Sequence, residues 1–228
     1  MRIVNKKAQK FKTIYGPAVA VDVVLFTIDQ EQLRILLIKI SDGPYKNKWA
    51  LPGGLVQLNE TLDDAAKRVL FRKTNIGDIH LEQLYSFGEL KRDVRGRVIS
   101  VAYFALINDP KKYRVKTTPY YAEISWWPIK KLPEMAFDHR NIIEYAVQRL
   151  KYKVGYTNIV YSLLAKEFTL SKLKRVYEII LGKKLDKRNF YKRMILLGLI
   201  EKTRRRITGK PHRPAQLYQF IKRKLVFV

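Results

Sequence analysis

The chain contains no cysteine, which excludes disulfides and any metal site built on thiolates. Histidine is almost as scarce, with three in 228 residues. Around His139 no second histidine or acid stands at ligand spacing, so it reads as a helix-entry residue rather than a metal ligand. No apolar run approaches the roughly 20 residues needed to span a bilayer, and no membrane partner is expected. Residues 1–15 are basic and read as a weakly structured tail, without the apolar segment and cleavage site of a signal peptide. A cytoplasmic protein is the expectation. Acids are also few, 20 against 46 Lys and Arg, for a net charge of +26. Residues 1–150 hold 25 Lys/Arg against 16 Asp/Glu (+9), whereas residues 151–228 hold 21 against 4 (+17). The last third of the chain therefore carries most of the excess, which favours a polyanion partner, nucleic acid foremost.

What is present begins with two β-branched runs. Residues 19–28 read as a buried strand with one polar interruption, Asp22, and residues 33–40 as a second strand beyond a turn at 29–32. A loop over 41–48 leads to Trp49-Ala50-Leu51-Pro52-Gly53-Gly54. Glu60 follows Gly54 after five residues, and Arg68 follows Glu60 after seven. Thr61 and Asp64 have capping-box spacing. Leu62, Ala65, Ala66, Val69 and Leu70 then line one helical face, and Lys67, Arg68, Arg72 and Lys73 fall largely on another. Asn75 to Gly77 ends the helix.

The stretch resembles the Nudix box, usually G-x5-E-x7-R-E-U-x-E-E-x-G-U with U aliphatic. Gly54, Glu60, Arg68 and Ile76 keep the pattern. Val69 replaces the acid after the arginine, Arg72 and Lys73 replace the paired glutamates, and Asn75 replaces the glycine. In Nudix hydrolases those glutamates hold divalent metals against a diphosphate. Hard cations need oxygen ligands, whereas Arg and Lys offer only donors and attract phosphate instead. The box reads as a retained scaffold with an inverted charge, so no catalytic residue, no metal ligand and no cofactor is expected.

Further along, residues 84–90 suggest a strand. Arg92, Arg95 and Arg97 then crowd a charged loop that enters a strand running to Ile107. Three planar donor forks can surround an anion, and with Lys39 they are the candidate effector-binding residues. Residues 121–128 give another strand, and Asn141 to Leu150 an apolar-periodic helix. This pattern predicts an α/β sandwich with a mixed sheet between helices.

Composition shifts near Lys151. Residues 158–165 suggest a short helix, Phe168-Thr169 opens a second that stops at Gly182, and Asp186 is a good N-cap for a third. Residues 199–202 suggest a short strand, residues 203–214 a basic loop, and residues 216–221 a closing strand. Three helices, a strand, a basic wing and a strand predict a winged helix-turn-helix. Lys187, Arg188, Asn189 and Lys192 of its recognition helix, with Arg204, Arg205, Arg206, Lys210 and Arg213 of the wing, are the candidate DNA-binding residues. The expected division is a tail at 1–15, a sensing domain at 16–152 and a DNA-binding domain at 153–228.

The two halves together resemble the Nudix-related transcriptional regulators of the NrtR type and their AraR-like relatives. The likeness is carried by Phe87-Gly88, Arg92-Asp93, the Arg95 to Tyr103 run, Phe137-Asp138-His139, Leu185-Asp186-x-Arg188-Asn189-Phe190 and Arg213-Pro214-Ala215-x-Leu217-Tyr218. It implies a homodimeric repressor. A Nudix domain would sense ADP-ribose or a sugar, and a winged helix would bind a palindromic double-stranded DNA operator. Two alternatives stand beside it. One is a working Nudix hydrolase using Glu60, Asp64 and Glu89, with the nucleic-acid-binding domain as an appendage. The other is an RNA-binding protein on a Nudix scaffold.

Overall fold

A computed structural model describes residues 16–112, 121–207 and 215–227. Its centre is β1 (Ala18–Asp29), whose apolar run is buried on both sides. Alternation sends Val21, Val23 and Leu25 to one face and Val24 and Phe26 to the other. A strand covered on both faces needs apolar residues at successive positions, which explains why the run is nearly unbroken.

Gln30 and Glu31, both at positive φ (48° and 59°), turn β1 tightly into the antiparallel β2 (Gln32–Ile40). On its other side β1 pairs in parallel with β6 (Val98–Ile107), which carries β5 (Glu82–Phe87) at the edge. β3 (Trp49–Ala50) and β7 (Tyr121–Pro128) pair with β2, and β4 (Gly53–Leu55) pairs with β1. The result is a mixed seven-stranded sheet. Helix α1 (Leu62–Thr74) covers one face with Ala65, Ala66, Val69 and Leu70. Helix α2 (His139–Tyr156) covers the other with Ile142, Ile143, Ala146 and Leu150. Each fully buried aliphatic side chain of Val or Leu size contributes about 1.5–3 kcal/mol. Thr61 caps α1 by accepting from the Asp64 N–H, and Asn75 closes it at φ 60°. Asparagine thus takes the left-handed cap otherwise favoured by glycine.

The C-terminal module is β8 (Phe168–Thr169), α3 (Leu170–Leu181), α4 (Lys187–Leu196), β9 (Ile200–Ile207) and β10 (Ala215–Phe220). Its sheet order is β8-β10-β9, the helix-turn-helix and wing of a winged helix. Gly182 ends α3 at φ 70°, and the Asp186 side chain caps α4 by accepting from the Asn189 N–H at 2.8 Å.

Four local expectations are corrected. Helix α2 continues past Leu150 to Tyr156, across residue 152, because Lys153 and Val154 are buried there and Lys153 Nζ meets both Glu82 carboxylate oxygens at 2.6 and 2.7 Å. Residues 159–163 form a 3-10 turn rather than an α-helix. Phe168 and Thr169 form a strand paired with Leu217 and Tyr218, and Thr169 caps the helix that follows. Residues 203–207 are strand rather than loop. Their backbone finds partners on β10 while their charged side chains stay in water, so no apolar alternation marks them. Lys210 and Arg213 lie outside the described residues. The two modules share one apolar cluster, from Val24 and Phe26 through Leu150 and Val154 to Phe190, Tyr218 and Phe220.

Candidate functional site

The Gly-Gly turn, the ends of β1 and β2, the last turn of α1, the 92–95 loop and the start of α2 enclose a cleft of about 340 Å³. Its floor is a buried ionic network around Asp22. Ser100 Oγ donates to Asp22 Oδ2 at 2.5 Å, and Arg92 Nη2 lies 3.4 Å from the same oxygen. Arg92 also grips Asp138 with two bonds, at 3.0 and 2.7 Å. The Leu51 N–H donates to His139 Nδ1 at 2.9 Å, which leaves the ring proton on Nε2, 3.3 Å from Asp22 Oδ1. Burial opposes ionisation of Asp22, but its His139, Ser100 and Arg92 neighbours prevail and hold the carboxyl at about 2. Asp138 stands at the N-cap of α2 yet makes no capping bond, its carboxylate being committed to Arg92.

The box helix frames the opposite wall. Arg68 clamps Glu60 through Nε at 2.7 Å and Nη2 at 2.5 Å, and the Gln57 N–H also donates to Glu60. These contacts, the Arg68 bond first, lower the Glu60 carboxyl to about 2. Glu60 therefore braces the turn. Val69, where the box usually carries an acid, is buried below Gly54. Arg72 is exposed, and Lys73 is half-buried at the cleft wall with its ammonium 4.7 Å above the Tyr121 ring.

These residues do not fit a divalent cation. The positions of the paired glutamates hold donors, Glu60 is bonded to Arg68, and Asp22 is enclosed by three donors. Among the described residues no group of three or more His, Cys, Asp or Glu is arranged to hold a metal. Glu60, Asp64 and Glu89 are also not brought together: none of them lines the cleft, and Asp64 instead accepts from the Thr61 hydroxyl at 2.7 Å.

The four basic residues expected at the effector site separate. Arg95 lines the cleft, mostly exposed, braced by Asp93 and stacked 5.4 Å from the Phe137 ring. Arg92 reaches the floor, but its guanidinium is 3 % exposed and saturated by two carboxylates. Arg97 turns away and donates to the Gly88 and Glu89 carbonyls at 2.7 and 3.1 Å, fastening the loop. Lys39 sits between Ile38 and Ile40, both cleft residues, so strand alternation points it to the opposite face. Sequence reasoning missed Lys73, which looked like part of a solvated helix face. It also missed the partners of Asp22, although a lone acid in a buried strand was a usable signal.

At the other end of the molecule, α4 buries Phe190 and Met194 and exposes Lys187, Arg188, Asn189 and Lys192. Its capped N-terminus and free cations form a surface suited to phosphates and base edges. Alternation along β9 puts Arg204 and Arg206 on one face. Arg205 faces the other, where it bonds Glu167 at 2.8 Å.

Comparison with known proteins matches both halves. The NUDIX domain family model covers residues 16–146, and the NrtR DNA-binding winged helix domain model covers residues 160–220. The chain is 44 % identical over 220 residues to the ADPR responsive transcriptional repressor NtrR of Acinetobacter baylyi, covering 93 % of this chain and 86 % of that one. Among solved structures, Shewanella oneidensis NrtR complexed with a 27mer DNA matches with a TM-score of 0.76 at 34 % identity, over 89 % of this chain and 93 % of that one. The NUDIX domain of the same protein complexed with ADP ribose matches at 34 % identity with a TM-score of 0.53, over 64 % of this chain and 94 % of that one.

Proposed function

The chain belongs to the NrtR family of Nudix-derived regulators, and from that premise we propose a DNA-binding transcriptional repressor whose Nudix domain senses ADP-ribose. The observation that carries the reading is the exchange on the box helix. The Nudix frame is kept by the Glu60–Arg68 clamp and the Gly-Gly turn, while Arg72 and Lys73 stand where metal-binding glutamates belong. Such a cleft can attract a diphosphate and lacks the paired glutamates that would hold magnesium against it. A neutral sugar would leave Lys73 without an anionic partner. The protein acts as a cytoplasmic homodimer whose two α4 helices meet half-sites of a palindrome.

The link between the two sites is α2. About 27 Å long by its 18 residues, it begins with His139 directly after Asp138 in the cleft floor. It ends at Gly155 and Tyr156, where Arg193 of α4 donates to the Gly155 carbonyl at 2.8 Å. Glu31 at the β1–β2 turn also pairs with Arg175 of α3. A ligand that binds one arrangement of the cleft floor better than another shifts the helix-turn-helix with it.

The test is duplex binding by the full chain with and without ADP-ribose. ADP-ribose should change operator affinity at least fivefold, within the usual coupling of about 1–3 kcal/mol. It should itself persist in the presence of Mg²⁺. Turnover at roughly 1 per second or faster would instead identify an enzyme. Arg188→Ala should weaken operator binding by about 1–3 kcal/mol, the discrimination of a base-reading arginine, with a smaller loss on random duplex. Equal losses on both would make Arg188 a phosphate contact.

A further inference from the structure

Lys73 is the one cleft-lining cation among the described residues with no carboxylate in ion-pair range. Arg92 is bound by Asp22 and Asp138, and Arg95 by Asp93. The groups that face Lys73 come from every wall of the cleft. Asp22 of β1 attracts it from beyond contact range, Arg68 of its own helix and Arg95 of the 92–95 loop repel it, and Tyr121 of β7 lies under its ammonium. Asp42 and His139 complete the titratable lining. A half-buried ammonium that has lost water and gained only an aromatic face is short of an anion.

We infer that Lys73 is a tethered counter-ion for the effector's diphosphate, its ammonium supplying the positive charge that a divalent cation supplies in hydrolytic Nudix proteins, so that binding requires no metal. The inference rests on the ADP-ribose reading above and adds to it the residue and the metal independence. Three observations converge on it. Lys73 occupies a position of the missing glutamate pair, it lines the same cleft as the Gly53-Gly54 turn, and it is left unpaired while neighbouring cations are satisfied. A bound anion would also change its protonation. Burial, with help from the Arg68 and Arg95 charges and against the pull of Asp22, draws the amine down to about 8. A diphosphate beside it favours the charged form, so binding near pH 8 should take up part of a proton.

Titration calorimetry of the full chain with ADP-ribose tests this. The wild-type chain should bind equally in EDTA and in Mg²⁺. Lys73→Met should bind at least tenfold more weakly, and Lys73→Arg should recover most of the loss. Measured at pH 8 in buffers of different ionisation enthalpy, the wild-type chain should show proton uptake that Lys73→Met lacks. Lys73→Met should melt no lower than wild type, since it removes a desolvated charge with no ion pair. A lysine with a merely structural role would lower the melting temperature and leave proton uptake unchanged. ADP-ribose binding that survives Lys73→Met, or that appears only with Mg²⁺, overturns the assignment alone. Absence of binding by the wild-type chain overturns both the assignment and the effector reading.

Discussion

Arg92→Met should lower the unfolding free energy by about 3–5 kcal/mol, the usual cost of removing one partner from a buried ionic cluster. Methionine keeps the volume, so the loss isolates the charge. The guanidinium is 3 % exposed and its two carboxylate partners are 6 % and 8 % exposed, so water cannot replace it. Among the described residues Asp138 is then left without a side-chain donor, and Asp22 keeps Ser100 and His139. For a chain of this size the melting temperature should fall by about 6–20 °C. The pH dependence gives an independent check. In the wild-type protein Asp22 is held at about 2 against its ordinary 3.8. That depression stabilises the fold fully above pH 3.8 and is lost as the pH falls from 3.8 towards 2. In the variant Asp22 loses one of the neighbours that hold it down and titrates higher, so the deficit should be greatest near neutrality and shrink as the pH drops below about 4. Urea unfolding at pH 7 and pH 3 measures both arms. A deficit under 1 kcal/mol at pH 7 would mean that Arg92 is not what holds the buried cluster around Asp22 together.

This network also marks how far local sequence could be read. The Gly-Gly turn, the Glu60–Arg68 spacing, the caps at Thr61 and Asp186 and the stops at Asn75 and Gly182 depend on neighbours within about one helical turn or loop, and their signals are local. The partners of Arg92 are 46 and 70 residues away. Its loop therefore looked like an open cluster of three anion-binding arginines, when one closes the floor, one fastens the loop and only Arg95 faces the cleft with an exposed side chain. Lys39 falls outside the cleft lining for a different reason: a one-residue step in a strand reverses its face, and the apolar residues on both sides conceal which face is the cleft. The strand of Thr203 to Ile207 was invisible because its partner, β10, supplies order to a segment whose own side chains are all polar or charged up to Ile207. Lys73 was hidden by its company. Lys67 and Arg72 are exposed on the same helix, whereas the tertiary contact with Tyr121, 48 positions on, makes Lys73 half-buried.

Gly53→Ala should be the most damaging change available in the box turn, and far worse than Gly54→Ala beside it. Gly53 pairs with Asp22 across β4 and β1. A methyl on Gly53 would fall 1.8 Å from Asp22 Oδ1 and 3.0 Å from the Val21 carbonyl oxygen, so the carboxylate would have to leave its place. Moving it breaks the bonds from Ser100, Arg92 and His139 together. Overpacking costs about 1–3 kcal/mol, and a buried acceptor deprived of its donors costs about 1–3 kcal/mol more, so a total of about 2–6 kcal/mol is expected. Gly54 meets only Val69 Cγ2, at 3.2 Å, a methyl that can give by a few tenths of an ångström. Thermal unfolding should rank the two variants clearly, and, with ADP-ribose in the cleft as proposed, its affinity should follow the same order, because Asp22 forms the cleft floor. The contrast separates two reasons for a double glycine. If Gly53→Ala and Gly54→Ala were equally mild, the pair would be serving the flexibility of the turn. If only Gly53→Ala is severe, the first glycine is there because a buried carboxylate occupies the space a side chain would need, and that carboxylate is what organises Arg92, His139 and the start of α2.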